Sequence, residues 1–226
     1  MEDMYKLVKD FFSHDMDLDD LFDSEAIIWI DWREDDEDVV NYFNDMMDEP
    51  IDIQTVSNGK LYGDDIVLQK GDNELLIPYG DEKDRDVTIK YFNDFVQPDY
   101  EVRWFTESLG NDTLGFTVLS GAEWAKLDDE FGADTVRYYF EPIDFESDMF
   151  NLGMDEVFAL LALRENSEGV NTQFSTQLDW IRIINKEKTL AEQKENGQID
   201  LKQYMVAKKE LQQSKDDFIA AHGPMK

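Results

Sequence analysis

The stretch Ala26-Ile-Ile-Trp-Ile-Asp-Trp32 runs directly into Arg33-Glu-Asp-Asp-Glu-Asp38, and its reading decides the fold class. The first half is apolar, β-branched and aromatic, too short for a helix, and bounded by charge on both sides. That pattern predicts a buried strand. Strand alternation puts Ile30 and Trp32 on one face and Trp29 and Asp31 on the other. The second half places five acids in six residues. It suits the first turn of a helix, where carboxylates meet the positive end of the dipole. The helix is expected to run to about Asp48, with Val39, Val40, Phe43, Met46 and Met47 inward and Pro50 beyond its end.

Working outward, Met4, Leu7, Val8, Phe11 and Phe12 have helical spacing, so residues 2–12 read as an amphipathic helix. An acidic connector, residues 13–25, joins it to the strand. After Pro50, residues 51–56 alternate like a half-buried strand, and Ser57-Asn-Gly-Lys60 supplies turn residues. Lys70-Gly-Asp-Asn73 marks a second hairpin between two apolar runs. Residues 84–97 read as a helix. Tyr100–Phe105, Leu114–Leu119 and Thr135–Phe140 read as strands, the first and last each placing one Arg among aromatics. Ser120 and Glu123 have capping-box spacing at the head of a helix from about Ala122 to Phe131, and Gly132 is placed to end it. Residues 154–165 read as an apolar helix. Phe174, Leu178, Ile181 and Ile184, then Tyr204, Leu211 and Phe218, make two stripes separated by Gly197. The fold class is therefore α+β: a mixed or mainly antiparallel sheet flanked by helices, with a C-terminal helical hairpin.

The formal charge is −32, from 53 acids and 21 bases, and it is unevenly placed. Residues 1–56 carry 19 acids and 3 bases, residues 57–170 carry 26 and 9, and residues 171–226 carry 8 and 9. Two domains follow: an acidic α+β body, 1–170, and a charge-balanced helical hairpin, 171–226, that packs on the body or dimerises. Proteome-wide adaptation to salt would bias the whole chain, and the balanced tail argues against it. The 42% apolar content, with 15 Phe, argues against charge-driven disorder. A surplus this large opposes compaction, so its plainest use is to bind something of opposite charge.

The chemistry-bearing motifs are sparse. Without cysteine there is no disulfide, thiolate metal site or Cys nucleophile. Asp15, Asp17 and Asp19 match the first ligands of a calcium loop, but Asp20 stands where that loop needs Gly and Ala26 where it needs Glu. Asp65, Lys70 and Glu74 share a hairpin, yet Lys70 sits in its turn rather than beside the acids of a nuclease centre. His14 and His222 have no nucleophile partner in sequence. No cofactor is expected. Anionic surfaces repel nucleic acid and acidic lipid alike, which excludes both as direct ligands.

These observations predict a non-enzymatic cytoplasmic protein that neutralises a basic protein, such as a nuclease toxin or a nucleic-acid-binding protein. Bacterial immunity proteins (antitoxins) and DNA-mimic inhibitors are of this type. The expected contact residues are Asp15, Asp17, Asp19, Asp20 and Asp23 in the connector, then Trp32, Glu34, Asp35, Asp36, Glu37 and Asp38. Two alternatives stand beside this: an interaction protein that binds through its C-terminal helices, including as a homodimer through 171–226, and a carboxylate-based hydrolase.

Overall fold

The computed structural model describes residues 4–166 and 172–225. The chain forms two compact units, Met1–Asn151 and Leu152–Lys226. The first carries 41 acids against 11 bases and the second 12 against 10, so a net −30 of the charge belongs to the first.

The first unit is built on a four-stranded sheet, β1 (Ile28–Asp31), β5 (Tyr100–Phe105), β6 (Thr113–Ser120) and β7 (Phe140–Pro142), in the order β1-β6-β5-β7. Every pairing is antiparallel. The central strand β6 is buried from Leu114 to Leu119, as a strand must be when both faces of its sheet are covered. One face lies under α3 (Asp36–Asp45) and α4 (Arg85–Val96), where Phe43 meets both Phe92 and Phe116. The other lies under α1 (Met4–Phe12), α2 (Leu18–Phe22), α5 (Gly121–Phe131) and α6 (Ala133–Tyr139), around Phe12, Leu21, Phe105, Trp124 and Phe140. Gly115 permits this packing, since a Cβ there would lie 2.8 Å from the Ile27 side chain. A smaller antiparallel sheet, β2 (Asp52–Ser57), β3 (Asp64–Lys70) and β4 (Asn73–Leu76), has the order β2-β3-β4.

The second unit holds α7 (Met154–Asn166), α8 (Phe174–Glu195) and α9 (Leu201–His222). Helices α8 and α9 pack as a hairpin, with Trp180 against Phe218 at 5.2 Å. Gly197 turns the chain between them at φ 68°, and Asp200 with Gln203 forms a capping box for α9. Helix α7 packs on α8. It therefore groups with the hairpin in the second compact unit, which begins at Leu152.

The α+β class, the antiparallel sheets and the terminal hairpin are as expected. The capping box of Ser120 and Glu123 is present, and Gly132 ends α5 at φ 89°. Two expectations need correction. The stretch Thr135–Phe140 is not a strand but the body of α6, and β7 begins only at its last residue. Gly132 lets the chain leave α5 and start a new helix at once, and burial of Val136 and Phe140 outweighs the β-propensity of the local run. The acidic connector contains a short helix, α2, that the sequence reading did not assign. The strand and helix at the acidic run are shorter than read, since residues 32–35 form a turn between them. Residues 2 and 3 of the first helix lie outside the described residues. No described helix is long and apolar enough to cross a membrane.

Because Phe116 of β6 is wholly buried under the α3–α4 layer, Phe116→Ala should destabilise the protein by about 3–5 kcal/mol. Trp32→Ala, at an exposed side chain, should change stability by less than about 0.5 kcal/mol. Urea unfolding of the two variants measures both.

Candidate functional site

Three consecutive residues at the head of α4 organise the acidic turn. Asp84 is the N-cap, accepting the Val87 N–H at 3.2 Å. Arg85 reaches back to the turn between β1 and α3. Its Nε donates to Asp36 Oδ1, its Nη1 to the Asp31 carbonyl at 2.9 Å, and its Nη2 to the Glu34 carbonyl. Its guanidinium lies over the Phe150 ring at 5.6 Å. Asp86, 1% exposed, accepts the N–H groups of Met149, Phe150 and Asn151 at 2.9, 2.9 and 3.2 Å. The Asn151 side chain donates to Asp84. Alternating acid, base and acid thus fasten two separate segments to one helix start.

The fastened turn displays Trp32, which is 63% exposed. Arg33 stacks over its ring at 5.1 Å and donates its N–H to Asp31 Oδ1 at 2.8 Å. Asp35 is the N-cap of α3, and Glu37 and Asp38 are exposed in the first turn. Tyr42 follows one turn later, also exposed. The carboxylate of Glu34 raises the pKa of its phenol above the usual value, with partial burial and then Asp38 adding to the effect. Glu34, Asp38 and Tyr42 therefore share one local field. Among the described residues, Asp36 Oδ2 and Glu34 Oε2 are buried without a hydrogen-bond partner.

The expected contact residues divide into two groups. Asp17 caps α2 by accepting the Asp20 N–H at 2.9 Å, and Asp19 and Asp20 lie in that helix's first turn. Asp15, Asp17, Asp19, Asp20 and Asp23 are all exposed. Phe22 of the same helix packs on Trp29 with ring centroids 4.3 Å apart. In the second group Trp32, Asp35, Glu37 and Asp38 are exposed and Glu34 is half-buried. Asp36 departs from expectation. It is 5% exposed and ion-paired with Arg85, so it holds the turn in place and has no surface to offer.

Sequence reasoning missed Arg85, Tyr42 and the anchoring role of Asp36. Scarcity was the available signal for Arg85, one of 11 bases among 41 acids in its unit. Among the described residues, no group of three or more His, Cys, Asp or Glu could hold a metal ion. No family model, curated protein or solved structure matches this chain.

Two predictions test the anchor. Arg85→Ala leaves Asp36 buried without its cation and should cost about 3–5 kcal/mol in chemical unfolding. Arg85→Lys should recover little of that loss, because one ammonium cannot reproduce the planar fork that reaches three acceptors. For Asp86, burial raises the carboxyl pKa and the three N–H bonds only partly offset it. The folded state then holds a proton that the unfolded chain has released. The contribution of Asp86 to stability is therefore largest below the unfolded carboxyl value, about 3.9, and falls as pH rises through the raised folded value. The unfolding free energy of wild type minus that of Asp86→Asn should fall with pH across this window. A difference that grows with pH would show that the N–H bonds dominate.

Proposed function

We propose that this chain is a non-enzymatic binding protein that neutralises a basic protein partner, as an immunity protein does to a nuclease toxin or a DNA mimic does to a nucleic-acid-binding protein. One observation carries the reading. A tryptophan that the core does not need stands exposed on a turn fixed by Arg85, among exposed carboxylates. Exposed aromatics on preorganised turns are the usual anchors of interfaces, because little rotamer freedom remains to be lost on binding. The surrounding acids, Asp35, Glu37 and Asp38, supply the sign of the partner. They steer a cationic surface toward the turn and accept its Lys and Arg side chains. The acids of the α2 segment add to the net anionic field of the whole unit. Such a protein would act in the cytoplasm, and no catalytic step is assigned to it.

A second reading, contact through the helical unit, draws support from α7. Met154, Phe158 and Leu161 are exposed there at helical spacing. This unit carries little net charge, so a partner recognised through it would be apolar rather than basic.

The main reading is tested by salt and by substitution. A basic partner captured at low ionic strength should dissociate as salt is raised. Asp35→Asn, Glu37→Gln and Asp38→Asn together should slow its association, whereas Trp32→Ala should speed dissociation, with a loss of about 2 kcal/mol or more in affinity. Salt-insensitive capture that survives the triple neutralisation would sink the proposal.

A further inference from the structure

Strand β2 stands at one end of its sheet, so among the described residues one of its edges pairs with no strand. The ladder tells which main-chain groups face that edge. Lys70 and Asn73 close a two-residue hairpin, and Ile77 donates its N–H to the Ile66 carbonyl at 2.9 Å. Ile66, Leu68 and Lys70 therefore turn their main-chain groups toward β4, and Asp65, Val67 and Gln69 turn theirs toward β2. The β2 residues opposite that second set are Val56, Gln54 and Asp52. The Asn58 N–H donates to the Gly63 carbonyl at 3.1 Å, which continues the same parity. Ile53, Thr55 and Ser57 are left with N–H and C=O directed away from the sheet, and Thr55 and Ser57 are exposed.

Ile51, next in this parity, shows what the edge accepts. The carboxamide of Asn44 accepts the Ile51 N–H at 2.8 Å and donates to the Ile51 carbonyl at 2.9 Å. This is the paired bond that one residue of a neighbouring strand would make. The edge thus begins already satisfied in strand fashion and then continues open for three residues' worth of donors and acceptors. Open edges are normally protected by charged side chains, by Pro or by a bulge. After Asp52, the run Ile53-Gln-Thr-Val-Ser57 carries no charge and no Pro and pairs in unbroken register with β3.

We propose that the open edge of β2 receives an extended, basic segment of the partner by strand addition. This rests on the reading above, that the partner is basic. Charge chooses among the occupants. Asp45, Asp48, Glu49 and Asp52 are exposed just before and at the start of the strand, where an incoming Lys or Arg would meet them. A second copy of this chain would bring a second unit of net −30 to the same edge and is repelled.

The probe is an acetylated, amidated heptapeptide of alternating Lys and Val. Its controls are the same peptide N-methylated at every residue, which keeps the charge but has no N–H on any residue of the strand, and an alternating Glu and Val peptide. Amide hydrogen exchange of the full chain is read by NMR. The Lys/Val peptide should slow exchange at Ile53, Thr55 and Ser57 about tenfold or more, and its N-methylated form should bind roughly tenfold more weakly without protecting those amides. Thr55→Pro removes one outward N–H and leaves the β2–β3 bonds intact, so it should weaken binding while near-UV circular dichroism stays native. If the N-methylated peptide binds as tightly, in a salt-sensitive way and without protection, strand addition is wrong and the basic-partner reading stands. If the Glu/Val peptide protects the edge as well as the Lys/Val peptide, the basic identity of the occupant is wrong.

Discussion

Self-repulsion among carboxylates is the constraint that the first unit has to satisfy. With 41 acids and 11 bases, every compact arrangement brings like charges together. The fold answers in three ways. Aromatic layers on both faces of the main sheet supply the burial that favours compaction. Scarce arginines are then placed where one cation can serve several acceptors. Arg103, 3% exposed, bonds Glu101 and Asp128 and lies 4.3 Å over the Trp124 ring. Arg85 joins Asp36 and two carbonyls of the acidic turn. Buried ion pairs of this kind add little net stability over apolar packing, but removing one partner is costly, so they fix position more than they add energy. Asp86 shows a third device, a buried carboxylate held by three main-chain N–H groups.

Local signals made most of the fold legible. The apolar run before the acidic run gave β1 and α3. The turn residues at 57–60 and 70–73 gave the small sheet. Ser120 with Glu123, Gly132 and Gly197 marked helix ends, because each acts through its own backbone or the next three residues. Where tertiary burial decided, the sequence misled. Thr135-Val-Arg-Tyr-Tyr reads as a strand on propensity, yet it is helical because Gly132 restarts the chain in that direction and Val136 is wholly buried.

The candidate site was legible as a region and not residue by residue. Composition pointed to the acids of 15–23 and 34–38, and alternation set Trp32 beside the second run. Neither could separate Asp36 from its neighbours Asp35 and Glu37, because the distinction depends on Arg85, 49 residues along the chain. The open edge of β2 was hidden for the same reason. It follows from which strand lies beside which, and from Asn44 turning its side chain onto Ile51, and neither is a pattern in the local sequence.

Helix α3 connects these features. Its first turn carries Glu37 and Asp38 beside the Trp32 turn, and Asn44 in its last turn caps the β2 edge at Ile51. Ten helical residues span about 15 Å. A standard protein interface covers about 800 Å² on each partner, a patch roughly 30 Å across. Helix α3 therefore sets the spacing between the Trp32 turn at its head and the start of the β2 edge at its foot. Charge alone would attract any cationic surface with little discrimination. In the proposed interface, an aromatic anchor and a strand edge held at fixed separation add the geometric demand that charge lacks, and a partner must meet both with one surface.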